Sequence, residues 1–241
     1  MNHFDKIADI YNKVWYFSDQ YQEWMLDHIM DRLEFNKEDV FVDIGGGTGK
    51  FTMLISTHAG LTKPPFCVEP SKEMCAKAEE EGGAQIICED ANGFVNRDMR
   101  YDKVLIKESI HHIHDRDHLW NGLYRQLQRD GKILIVTRPQ NTPMPLFNAA
   151  KEVFFINQPP YAAFVDELNI TGFSVEFSID TYSFTLKKEV WNLMIRSRFL
   201  SDLTGFSHDE IENGIQEINS KFLGDTIRID DAIVFISAWK A

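Results

Sequence analysis

Asp43-Ile44-Gly45-Gly46-Gly47-Thr48-Gly49 is the stretch whose reading decides the fold. It closes the apolar run Val40-Phe41-Val42-Asp43-Ile44 and opens a segment with helical spacing from about Thr48. A short buried run that ends in such a turn and starts a helix is the first βα unit of a parallel sheet. Glycine at 45, 47 and 49 lets the backbone approach a ligand where any Cβ would collide. A nicotinamide or flavin loop requires G-x-G-x-x-G. Counted from Gly45, the third glycine of that pattern falls on Lys50, so the dinucleotide reading fails.

Further strands lie on the C-terminal side of this loop. Phe66 to Glu69 is a second apolar run, and Ser71 is placed to cap the helix after it. Gln85 to Cys88 is a third, Asp102 to Ile106 a fourth, and Ile133 to Val136 a fifth, reached through a helix from Arg116 to Gln128 and the turn Asp130-Gly131. Near-continuous apolar strands alternating with helices mean a parallel sheet covered on both faces. After Pro139, Pro143 and Pro145 come helical stretches, a β-like run from Phe173 to Phe184, a helical insert from Lys187 to about Lys221, and a last strand from Ala232 to Trp239. On the N-terminal side, Phe4, Ile7, Ala8, Tyr11, Val14 and Trp15 share one helix face, and Ser18 and Asp19 offer caps for a second helix to about Leu33. The expected architecture is therefore α/β: a Rossmann-like, doubly wound, mostly parallel seven-stranded sheet with helices on both faces, an N-terminal helical lid and a helical insert before the last strand. Over 241 residues this suits one domain, with 1–36 as lid, 37–138 as ligand-binding core and 139–241 as the substrate side, insert at about 187–221.

Composition narrows the partners. The formal net charge is −12 and no block of Lys and Arg stands out, so a phosphate backbone is a poor substrate and nucleic acid is not expected. No apolar run is long enough to span a bilayer, so no membrane partner is expected either. The start Met1-Asn2-His3-Phe4-Asp5 carries neither a basic nor an apolar export segment. Cys67, Cys75 and Cys88 are odd in number, lack metal-ligand spacing and sit in apolar-flanked segments. They read as buried thiols in a reducing compartment, which makes the cytoplasm the expected location and a metal site unexpected. Oligomeric state is not legible.

With Asp43 to Gly49 in place, the sequence from about Val40 to Val136 resembles the class I S-adenosylmethionine (SAM) dependent methyltransferases, whose first motif is D/E-x-G-x-G-x-G. The resemblance implies SAM as cofactor and S-adenosylhomocysteine as product, and a small-molecule acceptor. It implies cofactor contacts from Asp43, Gly45, Gly46, Gly47 and Gly49. It places Glu69 on the two ribose hydroxyls, a task suited to the two acceptor oxygens of a carboxylate. It places Asp90 opposite the adenine amino group, with Pro70, Met74 and Ala91 alongside, and Lys107 by the methionine moiety. The run Lys107-Glu108-Ser109-Ile110-His111-His112-Ile113 follows the fourth strand, where the family surrounds the reacting methyl group. Polyamine synthases share a Gly-Gly-Gly loop but place an acidic proton acceptor after that strand, a pattern that Lys107-Glu108-Ser109 matches poorly.

Methyl transfer from a sulfonium is an in-line displacement, so the protein mainly orients the nucleophile and excludes water, with a base needed only for a protonated nucleophile. His112, with His111 in reserve, is the candidate base, since imidazole titrates near neutral pH; loop support is the other reading of His112. Tyr11 and Tyr16 are candidates to close over the site, and Arg196 and Arg198 to grip an acidic substrate group, with ion pairing to local acids as the competing role for the arginines. Gln158-Pro159-Pro160-Tyr161 is similar to the N-P-P-Y signature of amino-group methyltransferases, but it follows the fifth strand and reads as a turn into a helix. A non-catalytic SAM-binding protein on the same fold is the alternative from another class.

Overall fold

A computed structural model describes residues 19–240. The sheet has seven strands in the order β3-β2-β1-β4-β5-β7-β6. They are β1 (Phe41–Ile44), β2 (Phe66–Val68), β3 (Gln85–Ile87), β4 (Tyr101–Lys107), β5 (Leu127–Thr137), β6 (Phe173–Lys187) and β7 (Thr226–Lys240). β1 to β5 pair in parallel, while β7 runs antiparallel to both β5 and β6. The first five strands and their crossovers thus match the expected doubly wound order, with the reversal between β1 and β4 opening a crevice at their carboxyl ends.

Two-residue periodicity divides the sheet into two faces. Val42, Val104, Ile106, Ile133 and Ile135 face a core closed by α4 (Ala91–Phe94), α5 (Arg116–Gln126) and α7 (Tyr161–Thr171), with Trp120 and Phe164 fully buried in it. Phe41, Leu105, Leu134, Val136 and Phe235 face the other side, under α1 (Asp19–Leu33) and α2 (Lys50–Ala59). The expected helix over Phe4 to Trp15 lies outside the described residues. Helix α3 (Lys72–Glu81) begins as its cap predicts: the Met74 amide donates to Ser71 Oγ at 3.2 Å.

β6 and β7 are each 15 residues long; β6 runs three residues past the expected Phe184, and β7 starts six residues before the expected Ala232. β5 pairs with β7 only from Val234 to Trp239, whereas β6 accompanies β7 back to Thr226. A two-stranded ribbon therefore overhangs the end of β5. On it sits a separate apolar cluster built from Ile227 and Ile229, from α6 (Asn148–Asn157), and from the segment between β6 and β7, which folds as α8 (Lys188–Arg196), a 3-10 turn (Ser201–Leu203) and α9 (His208–Lys221). Ser207 and Glu210 start α9 with a reciprocal capping box.

The cysteines correct the sequence reading. Cys75 on α3 and Cys88 just past β3 form a disulfide, with Cα atoms 5.9 Å apart, and Cys88 is exposed. Only Cys67 is a buried thiol. Adjacent βα units in a parallel sheet bring these two positions together, which no spacing rule for isolated cysteines anticipates.

Candidate active site

A cavity of about 610 Å³ opens at the carboxyl ends of β1, β2 and β4. Its floor is the glycine loop. Gly45 and Gly47 line it at φ +79° and +58°, and a Cβ on Gly45 would overlap the side chain of Ser109. Ser109 Oγ in turn donates to the Ile44 carbonyl at 2.9 Å, tying the loop after β4 to the end of β1. Gly46 packs against Cys67 and Thr52, and Gly49 caps α2 at φ +71° beside Ala78, so these two shape the loop from behind. Asp43 is likewise behind the loop, buried, accepting from Thr52 Oγ1 at 2.6 Å; burial pushes its carboxyl up to about 6.

Glu69 forms one wall. Its Oε1 accepts from the Ser71 amide at 2.9 Å and its Oε2 from the Gly47 amide at 3.1 Å. The carboxylate is thus oriented in advance. Pro70, Met74, Asp90 and Ala91 line the same end. Asp90 also caps α4, accepting from Gly93 N at 2.7 Å, so the local and the ligand-facing roles coexist on one carboxylate.

The opposite end is built from the loop after β4. Lys107 lines the cavity, and its ammonium is depressed to about 8, first by burial and then by neighbouring Arg138. His111 and His112 share a 3-10 turn (Ile110–His112) with ring centroids 4.1 Å apart, but only His112 lines the cavity. Burial drives His111 down to about 3, and its Nδ1 is enclosed without a hydrogen-bond partner among the described residues. The His112 pKa is lowered too, chiefly by desolvation, with Asp202 opposing and His114 adding to the fall. Both rings are therefore neutral at pH 7.

Behind this end lies a polar cluster that the sequence did not announce. Buried Arg138 donates to both oxygens of buried Asp231 at 2.9 Å, Tyr21 Oη donates to Asp231 at 2.8 Å, and Arg138 also pairs with Glu108. Glu108 lines the cavity with a left-handed backbone, φ +54°. Lining residues that the sequence did not single out are Asn92, Asp115 and Ser201, while Ile113 and His114 line it beside the candidate histidine. The first follows Asp90-Ala91 directly and was within reach of the motif; Ser201 comes from the segment between β6 and β7 and carries no sequence signal.

Arg196 and Arg198 are not brought to the cavity. Arg196 forms a two-point pair with Glu212 at 2.6 and 2.8 Å, and Arg198 donates to the Phe206 carbonyl at 2.9 Å. Gln158 is buried, holding Thr137 Oγ1 and the Arg138 carbonyl at 2.9 Å, and the proline pair leads into α7, away from the cavity lining. Tyr11 and Tyr16 lie outside the described residues. Among the described residues, no three His, Cys, Asp or Glu side chains converge on a metal position, and no helix is long and apolar enough to cross a membrane.

The sequence profile described as a methyltransferase domain matches residues 42–135, the segment from β1 to β5 that carries the glycine loop, Glu69 and the β4 loop. Residues 42–135 therefore carry the sequence of a methyltransferase domain. SAM is the cofactor of such a domain, and the cavity suits it: Gly45 and Gly47 line its floor at positive φ, and the Glu69 carboxylate on its wall is oriented by two backbone amides. No curated protein matches the sequence. Solved structures share the fold at low identity. The YcgJ protein of Bacillus subtilis is 15% identical, with 92% of this chain and 99% of that one covered at a TM-score of 0.64. Phosphoethanolamine N-methyltransferase 2 of Haemonchus contortus, in complex with phosphomonomethylethanolamine and S-adenosylhomocysteine, is 21% identical at 0.61, covering 98% of this chain and 57% of that one. Precorrin-8w decarboxylase of Methanobacterium thermoautotrophicum is 14% identical at 0.55, over 89% and 88%. A decarboxylase and a methyltransferase on one fold mean that the acceptor chemistry must be argued from the site itself.

Proposed function

We propose that this methyltransferase acts on an oxygen, nitrogen or sulfur nucleophile of a small metabolite, and that the chain is one domain whose 37–138 part holds SAM while 139–241 encloses the acceptor. The observation that carries this reading is the two-ended cavity, with Glu69 and Asp90 at one end and Lys107, His112 and Ser201 at the other. SAM supplies an activated methyl group. Glu69 binds the ribose hydroxyls through its two carboxylate oxygens, and Asp90 faces the adenine amino group. The glycine loop lets the backbone follow the methionine end. His112, neutral at pH 7, takes a proton from a protonated nucleophile, and Ser201 narrows the acceptor side to a size suited to a metabolite. Tyr11 and Tyr16 close over the sulfonium, to which aromatic faces are attracted. Bound phosphomonomethylethanolamine in the nematode relative puts small amines first among acceptors to try.

The test is transfer of labelled methyl from SAM to panels of small amines, carboxylic acids, phenols and thiols. Turnover on a member of these panels is expected. Transfer confined to protein or RNA would overturn the small-molecule reading, and SAM binding without transfer to any class would favour a non-catalytic binding protein.

A further inference from the structure

The disulfide between Cys75 and Cys88 is flanked by cavity wall at both of its ends. Met74, next to Cys75 at the start of α3, lines the cavity, and so do Asp90 and Ala91 just past Cys88. The bridge therefore ties together two pieces of wall that come from different βα units. Its ends differ: Cys88 is exposed, whereas Cys75 is buried. Cys75 Sγ lies 3.2 Å from the Glu69 carbonyl oxygen, where a thiol donates a hydrogen bond that a bridged sulfur cannot. A buried sulfur with an acceptor in place for its reduced form suits both states. A chain of 241 residues also buries enough apolar surface to fold without a staple. The third cysteine, Cys67, stands outside any exchange, because burial pushes its thiol up to about 12.

We propose that the Cys75–Cys88 pair is a thiol-exchange site that sets the affinity of the cavity for its cofactor, the bridged form binding more tightly. This rests on the reading that the cavity binds SAM. A small thiolate such as that of glutathione attacks Sγ of exposed Cys88. An S–S bond forms there as the Cys75–Cys88 bond breaks, and the leaving Cys75 thiolate takes a proton from solvent and donates to the Glu69 carbonyl. A second small thiolate attacks the small-thiol sulfur of that mixed disulfide and releases Cys88, which is protonated in turn. Two small thiols are thereby oxidised to one small disulfide, and their two electrons reduce the protein bridge. While the bridge is closed, the start of α3 and the Asp90-Ala91 segment are held together before the ligand arrives. Once it is open, ordering that segment becomes part of the cost of binding.

The experiment is calorimetry with S-adenosylhomocysteine on the full chain, bridged and after reduction by dithiothreitol, with near-UV circular dichroism to follow the fold. Reduction is expected to raise Kd about fivefold or more, the lower end of ordinary coupling between two sites. Cys88→Ser should bind like the reduced protein and should not respond to reductant. Coupling is reciprocal, so saturating S-adenosylhomocysteine must shift the pair toward the bridged form by the same factor in a buffer of reduced and oxidised glutathione. Mass spectrometry of alkylated wild-type protein reads that shift, and decides the matter even where Cys88→Ser fails to fold. Equal affinity in the two states, tighter binding by the reduced one, or a folded Cys88→Ser protein that binds like the bridged one overturns the proposal. So does a glutathione equilibrium that the ligand leaves unmoved, or a pair that does not bridge in oxidised glutathione. Reduction that unfolds the protein also overturns it, by making the bridge a structural staple. Failure of S-adenosylhomocysteine to bind bridged and reduced protein alike overturns instead the cofactor-site reading on which it rests.

Discussion

Replacing Glu69 by glutamine turns one carboxylate oxygen into an amide NH2 while keeping the side chain's size. In the wild-type protein both oxygens already accept a backbone N–H, from Ser71 at 2.9 Å and from Gly47 at 3.1 Å. Whichever way the amide is turned, its NH2 meets one of those donors face to face, so one backbone bond is lost. The same NH2 cannot accept from the ribose hydroxyl assigned to that oxygen, and the other contact loses its charge. A hydrogen bond to a charged group contributes about 1.5–3 kcal/mol. Glu69→Gln should therefore weaken S-adenosylhomocysteine binding by about 1.5–3 kcal/mol, roughly 10- to 150-fold in Kd. Glu69→Ala should lose at least as much while the fold survives, because the residue sits on a cavity wall and not in the apolar core. Calorimetry on protein verified by near-UV circular dichroism measures the loss. The 2′-deoxy form of the ligand completes a cycle: it should bind wild-type protein more weakly than the parent, with the difference shrinking in the variant. A folded Glu69→Gln protein with wild-type affinity, or an undiminished 2′-deoxy effect, would refute the ribose assignment.

His112→Ala should lower turnover about 10²- to 10⁴-fold with cofactor affinity nearly intact. Because the His112 pKa is lowered, the base is neutral down into acidic solution, and the acid limb of kcat/KM should fall below the ordinary histidine range; a limb at or above that range would count against it. Asp231→Ala leaves the Arg138 guanidinium buried without its two-point carboxylate partner and should destabilise the protein by about 3–5 kcal/mol in denaturant unfolding. Cys88→Ser opens the 13-residue bridge to Cys75 and should cost about 2–3 kcal/mol, matched by adding reductant to wild-type protein and absent when reductant is added to the variant. Hydrogen exchange across Tyr11 to Phe17 should slow when S-adenosylhomocysteine is added; identical rates with and without ligand would remove the closing role given to Tyr11 and Tyr16.

What could be read from sequence was what the chain encodes locally. The runs ending at Ile44, Val68 and Ile106 announce buried strands through continuous apolar residues, and Ser71 announces a helix start through a side chain three residues from the amide it accepts. The glycine loop was legible because it is one continuous βα turn, and Glu69 because it ends the strand that pairs in parallel with β1. Contacts set by tertiary packing were not. Arg138 and Asp231 are 93 residues apart, and nothing near either one signals the other. Arg196 meets Glu212 only because α8 and α9 pack side by side, which decided between its two sequence readings. Cys75 and Cys88 follow the spacing of neighbouring βα units, which sequence gives only approximately. The first part of β7 was hidden because Thr226, Arg228, Asp230 and Asp231 are polar or charged and dilute the apolar signal.

With 139–241 enclosing the acceptor as proposed, the overhanging ribbon of β6 and β7 makes that side a replaceable part. Trp191, Phe199, Ile211 and Phe147 pack with Ile227 and Ile229 in a cluster separate from the two that flank the sheet. A change in the loops or helices between Lys187 and Thr226 can therefore reshape what Ser201 presents to the cavity without disturbing the strands that seat the nucleotide. Selectivity for the acceptor can then be re-engineered by grafting: a different 188–225 segment, joined at the two ends of one hairpin, inherits the methyl donor site intact and brings its own choice of nucleophile.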